Sequence, residues 1–303
     1  MTHKTNFLIV IAGPTAVGKT DLCIKLAKKF NTSILSSDSR QFFKEMNIGT
    51  AKPTVSELME AKHYFIDHLS IHDPYDVRIF EKETLQLLEN LFKNHKCVIM
   101  TGGSGLYIDA VCQGFDEMPD IDPLIREELN RLYRTSGIES LQRLLSEVDP
   151  EYFETVDKNN PHRLIRALEV FRGTGKPFSS FREKKRVDRP FKIIKIALYR
   201  DRAELYARID MRMDQMIAQG LFEEARELFA FKDLNALQTV GYKEIFDFIE
   251  GRYDLEEAIR LLKRNSRRYA KRQMTWFRRD ESYVWFHPSQ NDQIIGFIAD
   301  QIG

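Results

Sequence analysis

Continuous apolar runs alternate along the chain with segments in which apolar residues recur every three or four positions. Five runs have the length and composition of strands buried on both faces of a parallel sheet. These runs are residues 6–12, 33–37, 97–101, 193–199 and 283–286. Helical patterns cover 18–29, 78–94, 104–112, 202–218, 221–230 and 254–277. The alternation predicts an α/β fold of the P-loop NTPase-like type, built on a doubly wound parallel sheet.

The strand signal is absent between residues 116 and 190, where apolar residues mark three helices instead. The three sets are Ile125, Leu129 and Leu132, then Leu141, Leu144, Leu145 and Val148, then Leu164, Ala167, Leu168 and Phe171. A basic, irregular stretch follows at 173–190. We therefore expect a helical insertion domain at 116–190 inside an α/β core formed by 1–115 plus 191–303.

Composition and charge narrow the class of protein. The chain has 303 residues, 43% hydrophobic and 30% charged, with a net charge of +1. These values are typical of a globular protein and exclude disordered and fibrous classes. Cys23, Cys97 and Cys112 are too few and too scattered for a disulfide framework or a zinc site. No run is long enough to span a bilayer and the N-terminus lacks signal-peptide anatomy, so we expect a reduced, cytoplasmic protein. A monomer is our separate expectation for its oligomeric state.

The helical pattern at 254–277 carries an unusual local charge. Residues 260–279 contain nine Lys and Arg residues and no acid. A core stripe is predicted from Leu255, Ile259, Leu262, Tyr269, Gln273 and Trp276, while the other faces carry Lys263, Arg264, Arg267, Arg268, Lys271 and Arg272. Such a run can simply face solvent. However, six neighbouring cations repel one another, and an external polyanion would relieve that repulsion.

One motif carries chemistry by itself. Residues 13–20 read Gly13-Pro14-Thr15-Ala16-Val17-Gly18-Lys19-Thr20 and match G-x-x-x-x-G-K-[ST], after a strand and before a helix. Backbone N–H groups of such a loop cradle phosphate oxygens, Lys19 reaches the terminal phosphate and Thr20 binds Mg²⁺. The motif indicates a di- or triphosphate without saying which. The strand at 97–101 ends without a carboxylate, which weighs against a hydrolytic NTPase.

Asp38 follows the second predicted strand directly. Because the carboxyl ends of neighbouring parallel strands share one crevice, Asp38 should face the same space as Lys19. A carboxylate beside a phosphate site is a metal ligand, a general base, or the cap of the next helix. The position alone leaves these alternatives open.

Six further blocks accompany the phosphate loop, in order along nearly the whole chain. They are Ser36-Ser37-Asp38-Ser39-Arg40-Gln41, the segment 46–53 (MNIGTAKP), the segment 101–107 (TGGSGLY), the segment 160–169 (NPHRLIRALE), the segment 240–244 (VGYKE) and the segment 269–277 (YAKRQMTWF). With these blocks the sequence resembles the tRNA dimethylallyltransferase (tRNA isopentenyltransferase) family, in its compact bacterial form without a zinc finger. Ser104 replaces the usual Thr and Phe42-Phe43 replaces an apolar–Tyr pair, and both departures keep size or polarity.

The resemblance implies transfer of a dimethylallyl group from dimethylallyl diphosphate to N6 of adenosine 37, beside the anticodon of tRNA. It implies that Asp38 is the general base, that Lys19, Thr20 with Mg²⁺, and Arg208 act on the diphosphate, and that residues 13–20 bind it. The implied tRNA-binding residues are Asp38, Ser39, Arg40, Gln41, Ser104, Arg126, His162, Arg163 and Arg166. The basic run on the last long helix adds Arg267 and Arg268 as candidate tRNA contacts.

For several of these residues a purely structural role is the alternative. Arg208 and Arg212 lie four apart, as surface arginines paired with Asp201, Asp210 or Asp214 also would. Ser104 could be a helix cap, and the insertion arginines could be solvated. Two other functions also remain in competition: an ATP-dependent kinase, and a non-catalytic RNA-binding module gated by a nucleotide. The loop does not say whether ATP binds it incidentally.

Overall fold

The computed structural model describes residues 5–116, 118–182 and 187–303. Its centre is a parallel sheet of six strands in the order β3-β2-β4-β1-β5-β6. The strands are β1 (Phe7–Ala12), β2 (Ile34–Ser36), β3 (His63–Tyr64), β4 (Cys97–Gly102), β5 (Lys192–Leu198) and β6 (Val284–Phe286). The predicted doubly wound parallel sheet is confirmed, and β3 is an addition to it.

The helices of the sheet unit are α1 (Lys19–Phe30), α2 (Val55–Glu60), α3 (Val77–Leu91), α4 (Gly105–Gln113), α8 (Arg202–Ala218), α9 (Leu221–Leu228), α10 (Lys243–Ile249), α11 (Leu255–Phe277) and α12 (Asn291–Ile302). The remaining helices, α5 (Pro123–Val148), α6 (Pro150–Thr155) and α7 (Pro161–Thr174), belong to the insertion. Among the described residues, none of these helices is both long and apolar enough to cross a membrane.

Strand β1 is buried along its whole length because it lies between β4 and β5 and is covered on both faces. Leu8 and Val10 point into one apolar cluster, with residues of α3 and α9. Ile9 and Ile11 point into the other, with residues of α1 and α12. This two-sided burial is the physical reason for the continuous apolar run in the sequence.

Helix α11 packs with a stripe that differs from the predicted one. Leu255 is 48% exposed, so its assignment to the core was wrong. The helix begins at this residue, and its first turn extends past the apolar cluster. Its buried residues are Ala258, Leu262, Ser266, Ala270, Gln273 and Phe277. Small and polar residues therefore hold much of this interface, as expected where a helix lies close to backbone.

The described chain divides into two compact units, of which the smaller is Gly114–Val187. Within it, α5 consists of two helical stretches, which correspond to the first two predicted helices and meet at a kink at Gly137, whose φ of 74° and ψ of −179° are not helical. Helix α7 begins at the capping residue Asn160 and ends before Gly175, which is left-handed. Leu129, Leu141, Leu145, Leu164 and Leu168 form the core of this unit. The predicted role of this unit in binding tRNA stays a prediction.

Candidate active site

The phosphate loop joins β1 to α1 through backbone conformations that few residues adopt. Gly13 has a φ of 148°, and a Cβ there would lie 2.9 Å from the carbonyl oxygen of Leu198. Gly18 has a φ of 107° and Ala16 a φ of 62°. Left-handed residues turn successive N–H groups to one side, which makes an anion-binding concavity at the start of α1.

Lys19 is folded back over this loop. Its Nζ donates to the carbonyl oxygens of Gly13 and Pro14, each at 2.8 Å. Burial lowers the pKa of Lys19 to about 8, although the negative charge of Asp38 acts in the opposite direction. An anion in the loop would supply the counter-charge that this buried ammonium group lacks.

Asp38 is held by a short turn at the end of β2. Its Oδ1 accepts the backbone N–H of Arg40 at 3.1 Å, and its own N–H donates to Ser36 Oγ at 3.3 Å. A Cβ on Gly102 of β4 would lie 2.2 Å from Ser37 Oγ and 2.9 Å from the Asp38 nitrogen. The glycine therefore lets the turn lie directly against β4, which brings Asp38 to the cavity that Lys19 also lines.

Two arginines of α8 reach the same place. Arg208 Nε donates to the carbonyl oxygen of Ala16 at 2.9 Å. Arg212 donates to Ala51 O at 3.2 Å and to Thr15 Oγ1 at 3.4 Å. Ala16 and Ala51 both have positive φ, so each arginine braces a strained residue.

Two of the three acids considered as alternative partners of these arginines have other partners. Asp210 pairs with Arg267 and Asp214 with Lys263. Burial lowers the pKa of Arg212. The resemblance implied a role at the diphosphate for Arg208 alone, and the spacing of four was the signal that could have added Arg212 to the predicted cavity wall.

The cavity in front of these groups has a volume of about 790 Å³. The phosphate loop, Asp38, Arg208 and Arg212 form a charged part of its wall. Apolar side chains line other parts, namely Ile48, Leu58, Met211, Met213, Met216 and Val240. An anionic group attached to a short apolar chain matches this combination of surfaces.

The 46–53 segment is fixed by a carboxylate that the sequence did not single out. Glu224 accepts the N–H groups of Asn47, Ile48 and Gly49 at 2.9, 2.8 and 2.9 Å. The Tyr242 hydroxyl donates to Glu224 Oε1 at 2.7 Å. A Cβ on Gly49 would lie 2.5 Å from the Tyr242 ring, so only glycine fits there. This contact joins the 46–53 and 240–244 blocks.

The predicted base-binding residues make bonds within the protein. The Ser39 N–H donates to Ser104 Oγ at 3.1 Å, and the Ser104 hydroxyl donates to Ser39 Oγ at 3.2 Å. Arg40 Nη1 donates to the carbonyl oxygens of Asn235 and Ala236. Burial lowers the pKa of Arg40. Gln41 Nε2 donates to the carbonyl oxygens of residues 50 and 51.

The predicted tRNA contacts of the insertion differ in whether they form ion pairs within the insertion. Arg126 and Arg166 both bind the carboxylate of Glu169, at 2.6 and 3.1 Å. The pKa of Glu169 is lowered by these two arginines against the opposing effect of burial. His162 and Arg163 are exposed in the first turn of α7. The first pair is therefore partly neutralised within its own unit.

The basic face of α11 is less uniform than expected. Arg267 binds Asp210 at 2.5 Å and Lys263 binds Asp214 at 2.6 Å, so two of the six cations have acidic partners on α8. The expectation of six cations without compensation is corrected accordingly. Arg268, Lys271 and Arg272 are exposed. Within the part of the chain that the structure describes, none of these three forms an ion pair.

Comparison with known proteins gives consistent matches. A family profile described as IPP transferase matches residues 41–280. The chain is 53% identical over 302 residues to a tRNA dimethylallyltransferase of Cytophaga hutchinsonii, covering 100% of this chain and 99% of that protein. It is 54% identical to one of Christiangramia forsetii, covering 98% and 99%.

Solved structures agree with these sequence matches. A full-length tRNA isopentenylpyrophosphate transferase from Bacillus halodurans matches with a TM-score of 0.73 and 37% identity, over 98% of this chain and 97% of that one. A eukaryotic dimethylallyltransferase acting on tRNA matches with a TM-score of 0.75 and 25% identity, over 98% and 80%.

Proposed function

The chain belongs to the IPP transferase family, and on that premise we propose how its cavity performs the family's reaction. The enzyme transfers a dimethylallyl group from dimethylallyl diphosphate to N6 of adenosine 37 of tRNA, giving N6-(dimethylallyl)adenosine and diphosphate. The observation that carries the assignment is that Lys19, in an anion-binding loop, and Asp38 line one cavity with apolar walls.

The diphosphate lies in the phosphate loop in this proposal. As the allylic C–O bond breaks, its electron pair moves to the leaving diphosphate oxygen. The loop N–H groups, Lys19 and the two arginines at 208 and 212 lie at this part of the cavity wall, where they stabilise the developing charge. Lys19 exchanges its bonds to Gly13 and Pro14 for phosphate oxygens, and its ammonium form is stabilised by the bound anion.

Mg²⁺ fits the oxygen donors at this end of the cavity. Among the described residues, no group of three or more His, Cys, Asp and Glu side chains could hold a metal without substrate. The Thr20 hydroxyl lies in the first turn of α1 at the cavity. Mg²⁺ commonly takes one or two protein ligands and completes its shell with phosphate oxygens and water, so Thr20 would hold it. When bound, the ion neutralises charge on the diphosphate.

Asp38 acts as the general base. The N6 amino group of adenine is a weak nucleophile, because its lone pair is delocalised into the ring. While the N6–C bond forms, a proton passes from N6 to the Asp38 carboxylate, which raises the rate by about 10²–10⁴-fold. The N–H of Arg40 holds the carboxylate in place.

The tRNA is bound chiefly by its phosphates. Arg268, Lys271 and Arg272 on α11 offer exposed charge, and the insertion adds His162 and Arg163. Adenosine 37 must leave the anticodon-loop stack to reach the cavity, and Ser39, Arg40, Gln41 and Ser104 surround its entry in this proposal. A cytoplasmic location and a monomeric state stay predictions.

The decisive experiment is mass analysis of nucleosides from unmodified tRNA incubated with the protein, Mg²⁺ and dimethylallyl diphosphate. We expect one adenosine per tRNA to gain one five-carbon prenyl unit. A tRNA with guanosine at position 37 is the matched control and should stay unmodified. Turnover of ATP without any prenylated adenosine would refute the proposal in favour of a kinase.

A further inference from the structure

Gln273 of α11 connects two loops that are far apart in the sequence. Its Oε1 accepts the N–H of Thr15, in the phosphate loop, at 2.9 Å. Its Nε2 donates to the carbonyl oxygen of Gly103, in the β4–α4 loop, at 3.0 Å. The side chain is only 5% exposed, and both ends of its amide are satisfied.

The neighbouring residues are shaped around this amide. A Cβ on Gly103 would lie 2.1 Å from Gln273 Nε2, so glycine is needed for the amide to reach the loop backbone. One turn earlier on α11, Tyr269 lies beside the Ser104 side chain. Ser104 in turn accepts the N–H of Ser39, beside Asp38. A single turn of α11 thus contacts both the phosphate loop and the turn that carries the base.

Packing alone does not account for an amide at this position. Leu262 and Phe277 fill the same face of α11 with apolar side chains. A buried amide is costly unless it is fully hydrogen-bonded, so a glutamine here implies that its two bonds matter. A side-chain amide accepts at one end and donates at the other without carrying a charge.

We propose that Gln273 is a positioning residue for the prenyl transfer, which fixes the phosphate loop against the β4–α4 loop and in register with Asp38. The inference rests on the proposed function. Diphosphate and the attacking N6 approach from the two loops that this turn connects. A misplacement of the loop by about 1 Å is enough to lower such a rate about a hundredfold.

The test uses Gln273→Met, which keeps the side-chain volume and removes both bonds. Gln273→Glu retains the acceptor for Thr15 but places an oxygen against the Gly103 carbonyl. We expect both variants to lose about a hundredfold in single-turnover prenyl transfer at saturating substrates. Inorganic pyrophosphate should bind more weakly in calorimetry, and tRNA affinity should be unchanged.

Asn265→Ala is the matched control on the same helix. Asn265 Nδ2 donates to Glu244 Oε1 at 2.7 Å, and the side chain is not part of the cavity wall. Wild-type rate and pyrophosphate affinity are expected for this variant. A folded Gln273→Met protein with wild-type values of both quantities would overturn the inference.

Gly103→Ala provides a second test of the role of Gln273, in which the glutamine itself is unchanged. The added Cβ should push the amide away from the loop and lower the rate as Gln273→Met does. In a Gln273→Ala background there is no amide to displace, so Gly103→Ala should have little further effect. If Gly103→Ala lowered the single-turnover rate by the same factor in the Gln273→Ala background as in the wild type, the inference would be overturned.

Pyrophosphate binding separates this inference from the proposed function. If the wild type failed to prenylate tRNA, the function would be wrong. Weaker pyrophosphate binding by Gln273→Met than by Asn265→Ala would still support the role of Gln273 in placing the loop, and equal binding would exclude it. Thermal melts of each variant identify any loss that comes from unfolding.

Discussion

Replacing Asp38 by Asn tests the centre of the mechanism, because the structure separates the chemistry of this carboxylate from its local bonding. Asp38 Oδ1 accepts one backbone N–H, from Arg40 at 3.1 Å. An asparagine oxygen accepts the same bond but does not take a proton at neutral pH. Asp38→Asn therefore removes the base while keeping the turn, whereas Asp38→Ala removes both.

The expected magnitudes follow from this difference. Loss of a general base lowers the rate by about 10²–10⁴-fold. Loss of the single hydrogen bond in Asp38→Ala adds about 1 kcal/mol, or roughly fivefold. Both variants should therefore lose most of their single-turnover rate, with Asp38→Ala the slower. The affinity for tRNA should change far less than the rate.

The assay is single-turnover prenyl transfer with both substrates saturating, beside a direct measurement of tRNA binding. Asp73→Asn is the matched control, since Asp73 also accepts a backbone N–H, from Ser70 at 2.7 Å, and does not line the cavity. It should react like the wild type. Near-normal single-turnover transfer by Asp38→Asn, together with weak tRNA binding, would refute the general-base role and leave Asp38 as a positioning residue.

Four further predictions concern diphosphate binding, tRNA binding and the stability of the fold. Lys19→Ala should cost about 3 kcal/mol of transition-state stabilisation. Because Lys19 with a pKa of about 8 is charged below that pH and neutral above it, the ratio of wild-type to Lys19→Ala pyrophosphate affinity in calorimetry should fall as pH rises through 8. Arg268→Glu should weaken tRNA binding and reduce the slope of log affinity against log salt by about 0.7–0.9 per lost contact. Arg267→Glu should instead lower the melting temperature, because it places a second carboxylate beside Asp210. Gly49→Ala should destabilise the protein by about 1–3 kcal/mol in denaturant titrations, because its Cβ would overlap the Tyr242 ring. An unchanged midpoint would contradict the last prediction, and an unchanged salt slope the one on Arg268.

Local patterns in the sequence determined the sheet and the phosphate loop. The apolar run of β1 predicts a buried strand, and the glycines at 13 and 18 predict the loop, where both have positive φ. Both signals lie in consecutive residues and can therefore be recognised in the sequence. The predicted fold class and family were confirmed on this basis. Strand β3 was missed because two residues are too short for any periodicity to show.

Only the tertiary structure decided which polar side chains brace the cavity. Glu224 binds backbone N–H groups more than 170 residues away, and Gln273 binds that of Thr15 across 258 residues. A side chain that bonds to backbone groups does not require any particular residue type in its partner. No sequence pattern therefore predicts such a bond. The same holds for charge: α11 looks uniformly basic along the chain, and the acids that pair with Lys263 and Arg267 lie on another helix. Sequence specifies what each segment can form, and packing between distant segments decides which of its groups remain available to a substrate.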